Sequence, residues 1–170
     1  MSLLPILVAP DPRLKLKAQP VERVDASVRK LMDDMLETMY AAPGIGLAAP
    51  QVGVGQRVLV IDTAGEGEEK RPLRMANPEI VWASDEDMEQ NEGCLSVPEH
   101  YADVVRPAEV KVRYLDENDQ AQELHASGLL STCVQHEMDH LDGILFIDRI
   151  SALRRNMILR KLLKARRESA

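Results

Sequence analysis

The sequence predicts an α+β fold built from mostly antiparallel sheets, and three observations carry that expectation. An amphipathic helical pattern comes early, over residues 25–40. Strand-like segments then succeed one another at 57–62, 73–75, 79–83, 102–106, 109–115 and 122–126, with no helical pattern between them. A second helix follows at 128–141. Strands alternating with helices would instead indicate a doubly wound parallel sheet.

Each element has a local cause. The opening Ser2 to Val8 is apolar but short, lacks a basic leader and is interrupted by Pro5, so no signal peptide is expected. Over residues 25–40, Val28, Leu31, Met32, Met35, Leu36 and Met39 recur at helical spacing, and Asp25 stands where a cap is needed. These methionines are read as core, not as a metal box. Residues 43–51 (PGIGLAAPQ) read as a tight helix-to-strand turn whose glycines permit close backbone approach to a ligand. A phosphate cradle is a poor match, because the third glycine and the lysine are missing. Gln51, a neutral donor and acceptor, stands where the loop enters the strand. Residues 65–70 read as a polar loop, and Val110 to Tyr114 alternate with period two. The helix at 128–141 is expected to end at Gly143.

With 170 residues, the chain is expected to form a single domain. Hydrophobic residues make up 45% but aromatics only 3%, so the core must be aliphatic, with no row of rings on which nucleic-acid bases could stack. No apolar run approaches the roughly 18 residues of a membrane span. Charge is divided unevenly: residues 151–170 carry seven basic groups and one acid, a net of +6, leaving −13 for the rest. That basic helical tail is either a solvated face or a dock for a polyanion such as ribosomal RNA.

The chemistry is concentrated in QHEMDH at 135–140. An α-helix turns about 100° per residue, which leaves His136 and His140 only about 40° apart on one face. Both imidazoles can then reach one metal ion, with Glu137 beside it to accept a proton from water. A catalytic site of this kind takes three protein ligands and keeps a position open. No further histidine follows His140, and no helix-borne glutamate follows in the manner of thermolysin-like peptidases. Cys94, in a turn between Gly93 and Pro98, is the stronger candidate for the third ligand. Cys133 is the rival, about 60° from His136 on the same helix. Three ligands on one rod would hold a metal from one side only, so Cys133 is read as a lining residue. His100 and His125 are read as solvated. A thiolate ligand favours a reducing, cytoplasmic compartment.

Three segments together, GIGLAAPQ at 44–51, EGCLS at 92–96 and QHEMDHLDG at 135–143, resemble the three motifs of the peptide deformylase family, in the family's order. The similarity extends through Pro10 to Leu14, Asn77-Pro78 and Leu145 to Arg149, and reaches Ile150. It implies sheets wrapped around a central metal-binding helix, with a further C-terminal helix. It also implies an enzyme that removes formyl groups from nascent formyl-methionyl polypeptides and releases formate; a monomer is expected. In that reading Cys94, His136 and His140 bind one divalent metal, natively Fe(2+), although zinc, nickel or cobalt suit the same ligands. Glu137 is the general base. Gln51 and the Leu95 backbone N–H stabilise the oxyanion, Gly46 positions the peptide backbone, and Ile45, Leu129 and Cys133 form an apolar pocket for methionine. Glu99, His100 and Tyr101 depart from the family's pattern at the rim. Two other classes fit the residues alone: an HExxH metallopeptidase, and a non-catalytic ribosome-binding protein with a structural metal. A structural site has no use for Glu137.

Overall fold

Asp25 accepts a hydrogen bond from the Val28 N–H at 3.0 Å, and the first helix begins at the cap the sequence supplies. The computed structural model describes residues 2–169. In it α1 spans Ala26–Ala41, and Met32, Met35 and Met39 are fully buried on its inner face. Burial of each such side chain stabilises the fold by roughly 1.5–3 kcal/mol.

The segment after α1 is more than a turn. It contains a short strand, β1 (Gly46–Ala48), and a 3-10 turn over Ala49–Val52 that ends on Gly53 at φ +79°. β2 (Val58–Ile61) is buried along its whole length. Its side chains alternate between two faces: Val58 and Val60 pack with α1, Leu59 and Ile61 with the core on the opposite side. The strands expected at 73–75 and 79–83 are in fact one, β3 (Leu73–Ala83). Pro78 has no N–H for the ladder, and Asn77 has φ +49°. Pairing with β6 (Glu109–Leu115) therefore shifts register between Ala76 and Glu79 but resumes beyond. Asn77 holds the kink by exchanging side-chain bonds with the Val21 backbone at 2.9 and 2.8 Å. With β7 (Ala121–Ser127) these strands form an antiparallel five-stranded sheet in the order β1-β2-β3-β6-β7.

A second, two-stranded sheet pairs β4 (Asp87–Cys94) with β5 (Val97–Pro107). The sequence pattern does not predict β4, because its less exposed positions are Met88, Gln90 and Glu92 and no apolar alternation results. β5 begins at Val97, ahead of the expected 102–106, because Pro98 and a positive φ at Glu99 disguise its first half as a turn.

α2 (Gly128–Leu141) has the expected bounds and is buried continuously from Ser131 to Leu141. Val134, Met138 and Leu141 pack on the five-stranded sheet. Beyond Gly143 a 3-10 turn (Phe146–Arg149) leads to α3 (Ala152–Ser169). Ile158 and Leu162 seat α3 on a core with Leu14, Val97, Val104 and Phe146. Leu153 and Met157, on the same stretch, remain exposed. Among the described residues no helix is long and apolar enough to cross a membrane.

Gly143 ends α2 with φ +75°, and an added Cβ would lie 2.4 Å from the Lys15 carbonyl oxygen. Gly143→Ala is expected to destabilise the protein by at least about 1–3 kcal/mol, read as a lower urea midpoint with an unchanged slope.

Candidate active site

Three separate segments meet at one end of α2. Cys94 closes β4, where the ladder with β5 shifts register between Gly93 and Cys94 and the chain turns through Leu95 and Ser96. Two N–H groups point at its sulfur, the Ser96 backbone amide at 3.4 Å and Gln51 Nε2 at 3.5 Å. His136 and His140 project from successive turns of α2, with ring centroids 5.1 Å apart. One donor atom each from Cys94, His136 and His140 can be chosen so that all lie within 4.8 Å of one another. Cys133 is not in this group; its sulfur lies 3.7 Å from the Ile45 carbonyl oxygen, and burial, with Glu137 and Glu92 nearby, pushes its thiol well up.

The donor set fits a metal ion. Cys94 Sγ and His140 Nε2 are 3.4 Å apart, close to the roughly 3.5 Å that ordinary zinc–sulfur and zinc–nitrogen bond lengths give for two ligands on a tetrahedral ion. His136 Nδ1 lies 2.9 Å from Glu92 Oε1. An ionised carboxylate only accepts, so Nδ1 donates to Glu92 and Nε2 is the nitrogen turned to the site, where a metal would take the place of its proton. His140 Nδ1 is buried without a partner among the described residues. Burial, with His136 and Arg106 nearby, holds His140 well below the usual imidazole range. Burial opposes charge on His136 as well, but Glu137, Cys94 and Glu92 outweigh it and hold that ring well above.

Glu137 is buried, and its Oε1 has no hydrogen-bond partner among the described residues. Burial, reinforced by Glu92 and Asp139 against His136 and Arg106, pushes its carboxyl up to about 7. Gly46 makes room for it: a Cβ there would stand 2.5 Å from Glu137 Oε2. Gln51 is held by both ends of its amide. Its Oε1 accepts from the Ala48 N–H at 2.9 Å, and its Nε2 donates to Ser96 Oγ at 3.0 Å, so the nitrogen faces Cys94.

These groups line a cleft of about 660 Å³ that includes Gly46, Gln51, Cys94, Leu95, His136 and Glu137. Glu99 and Tyr101 stand at the same cleft. A smaller recess of about 90 Å³ adjoins it, lined by Ile45, Leu129 and Cys133 beside His136 and Glu137. The residues singled out in the sequence are thus gathered into one place. His125 lies elsewhere, exposed and bonded to Glu109 at 2.8 Å.

Sequence reasoning missed the charged groups behind the histidines. Arg106 donates through Nε and Nη2 to both oxygens of Glu92, at 2.6 and 2.9 Å, and through Nη1 to Asp139 at 2.8 Å. Arg149 grips Asp139 with Nε at 2.5 Å and Nη2 at 2.7 Å. Burial works against both partners of the inner pair, yet the bonds prevail. Glu92 is held low by His136 and Arg106, and Arg106 is held high by Glu92 and Asp139. One signal was present in the chain. Ala102, Val104 and Arg106 share the buried face of β5, and an arginine on such a face requires a buried carboxylate.

Comparison with known proteins identifies the family. Residues 3–156 match the Polypeptide deformylase family. The peptide deformylase of Phenylobacterium zucineum is 58% identical over 164 residues, covering 96% of this chain and 97% of that one. The peptide deformylase of Rhizobium meliloti is 54% identical over 165 residues, covering 97% and 95%. A crystal structure of the Ehrlichia chaffeensis peptide deformylase superposes with a TM-score of 0.94 at 43% identity, covering 99% of each chain. A second structure of that enzyme, in complex with actinonin, gives 0.93 at 46% identity, covering 97% of this chain and 98% of that one. Since both the sequence match and the shared fold run through nearly the whole chain and include the helix that carries the histidines, this protein belongs to the polypeptide deformylase family.

Proposed function

We propose that this enzyme removes the formyl group from the N-terminal formyl-methionine of newly made polypeptides, releasing formate and a free amino terminus. The observation that carries the reading is a buried glutamate whose Oε1 has no hydrogen-bond partner among the described residues, beside a convergent Cys/His/His donor group, in a chain of the deformylase family. Cys94, His136 and His140 would hold one divalent ion, Fe(2+) natively, with zinc, nickel or cobalt accommodated by the same donors. When bound, that ion acidifies water and polarises the formyl oxygen.

The protein's own groups do the rest. Glu137 takes a proton from the attacking water as its oxygen bonds to the formyl carbon, then hands that proton to the amine nitrogen as the carbon–nitrogen bond breaks. Its Oε1 has no fixed hydrogen-bond partner among the described residues, which leaves it available for both halves of that transfer. Gln51 Nε2 and the Leu95 N–H donate to the oxyanion, and the clamp on the Gln51 amide fixes its orientation before substrate arrives. The Gly46 backbone positions the peptide, and the recess at Ile45, Leu129 and Cys133 receives the methionine side chain.

The whole chain works as one catalytic domain and a monomer, in a reducing cytoplasm that keeps the Cys94 thiol available. Its basic tail docks on the ribosome: Arg160, Lys161 and Lys164 are exposed on α3 while Ile158 and Leu162 seat the helix. The direct test is formate release from a formyl-methionyl peptide, with acetylated and unblocked peptides as controls and metal content measured in the same sample. Cleavage of the unblocked peptide in place of formate release would favour a metallopeptidase instead.

Glu137→Gln is expected to retain the metal and lose at least about 100-fold in turnover, the lower end of general-base contributions; turnover near wild type would remove Glu137 from its role. Cys94→Ser is expected to weaken metal binding by more than about 100-fold, beyond the effect of losing an outer partner. Cys133→Ser should keep the metal and raise KM for formyl-methionyl peptides. Metal analysis after dialysis reads both, and a reversed outcome would make Cys133 the ligand. Charge reversal at Arg160, Lys161 and Lys164 is expected to leave hydrolysis of short peptides unchanged while abolishing salt-sensitive co-sedimentation with ribosomes. Identical sedimentation would leave the tail a solvated helix.

A further inference from the structure

We infer that Arg149 is a positioning residue for the metal site, acting on His136 at second hand through Asp139, Arg106 and Glu92. The inference rests on the metal-site reading of Cys94, His136 and His140 and extends it to a residue outside the cleft. Four charged side chains lie in series behind His136: Glu92 bonds to its Nδ1, Arg106 bridges Glu92 and Asp139, and Arg149 caps Asp139. The first three are nearly enclosed, with side-chain exposures of 3%, 4% and 12%, while Arg149 is 41% exposed.

The arithmetic of charge makes the exposed member matter. Two carboxylates and two guanidinium groups sum to zero. Without Arg149, one arginine must serve both Glu92 and Asp139, and a net negative charge remains in a place from which water is largely excluded. The division of labour is visible in the bonds. Arg149 takes Asp139 with a two-pronged grip, which leaves Arg106 free to give its own fork to Glu92 and only a single bond to Asp139. A weaker hold on Asp139 from outside would draw Arg106 toward it and away from Glu92, and Glu92 sets the tautomer and the tilt of His136.

The turn that carries Arg149 touches His136 a second time. Phe146, three residues earlier, stacks on the His136 ring with centroids 5.9 Å apart and planes 26° from parallel. Anchoring that turn to α2 through Asp139 therefore holds the ring from its face as well as through its nitrogen. On its outer side Arg149 borders a cavity of about 390 Å³ with Ile80, Val105 and Met138, on the side of α2 that bears Asp139 and Asp142. A shorter or uncharged side chain there can be accommodated without overpacking the core.

Cobalt(II) is the probe, with Arg149→Met removing the charge and Arg149→Lys keeping it without the fork. Arg149→Met is expected to release cobalt to a chelator about tenfold faster than wild type, at the lower end of outer-partner effects, with Arg149→Lys intermediate. The visible cobalt spectrum should shift in the same order. The gap between the thermal midpoints of the cobalt-loaded and metal-free proteins should narrow, because a ligand stabilises in proportion to its affinity. A merely structural anchor would lower both midpoints together and leave release and spectrum unchanged, and that result overturns the inference. Wild-type protein that takes up no cobalt would instead sink the metal-site reading, and this inference with it. Should Arg149→Met fail to fold, an Arg149→Lys protein with wild-type release and spectrum is enough to reject the proposal.

Discussion

Burying α2 imposes the condition that the rest of the molecule meets. From Ser131 to Leu141 every residue is buried, including His136, Glu137, Asp139 and His140, which water would otherwise solvate. Taking such groups from water costs several kcal/mol per charge unless partners replace the lost hydration. The five-stranded sheet covers the apolar side of the helix through Val134, Met138 and Leu141. The polar side needs another solution, and β4 and β5 supply it. Glu92 and Arg106 face inward from these adjacent strands and meet each other, His136 and Asp139 with charge-assisted bonds of 2.6–2.9 Å.

The two sheets therefore divide the work. The larger one is a scaffold, with β2 between two apolar layers. The β4–β5 ribbon carries the Cys94 thiol of the candidate metal group at its turn and the balancing charges along its length. Placing Glu92 two residues before Cys94 lets one strand deliver both the group that orients His136 and the sulfur that joins it. A ribbon anchored by the buried Glu92–Arg106 ion pair and by Val97 and Val104 in the core has little freedom to shift Cys94 away from the histidines.

Not every polar atom at the centre is satisfied. Glu137 Oε1 and His140 Nδ1 are buried without partners among the described residues, while Gln51, Glu92 and Asp139 around them are each bonded more than once. Rigid neighbours around a few unsatisfied atoms concentrate the unfavourable burial at the candidate site. The close fit of Gly46 against Glu137 has the same sense, since even a methyl group there would displace the carboxylate.

Much of the fold follows from local rules that the chain states openly. The bounds of α1 and α2, the alternation in β6 and the HExxH spacing all depend on periodicity, and an α-helix puts His136 and His140 on one face wherever it lies. The three motif segments marked Gln51, Cys94 and Glu137 for the same reason, as short runs of chemically unusual residues. β4 escaped because periodicity reports apolar burial, and its best-buried side chain is Glu92. β3 was divided because Asn77 and Pro78 write a turn that the neighbouring strands override. Only the tertiary structure decided that Cys94 stands 3.4 Å from His140, that Gly46 clears space for Glu137, and that Arg106 and Arg149 answer the carboxylates behind His136. The physical reason is that local sequence encodes the direction in which a side chain points, whereas a buried charge finds its partner by proximity in space, 14 residues away for Arg106 and Glu92 and 44 for His136 and Glu92.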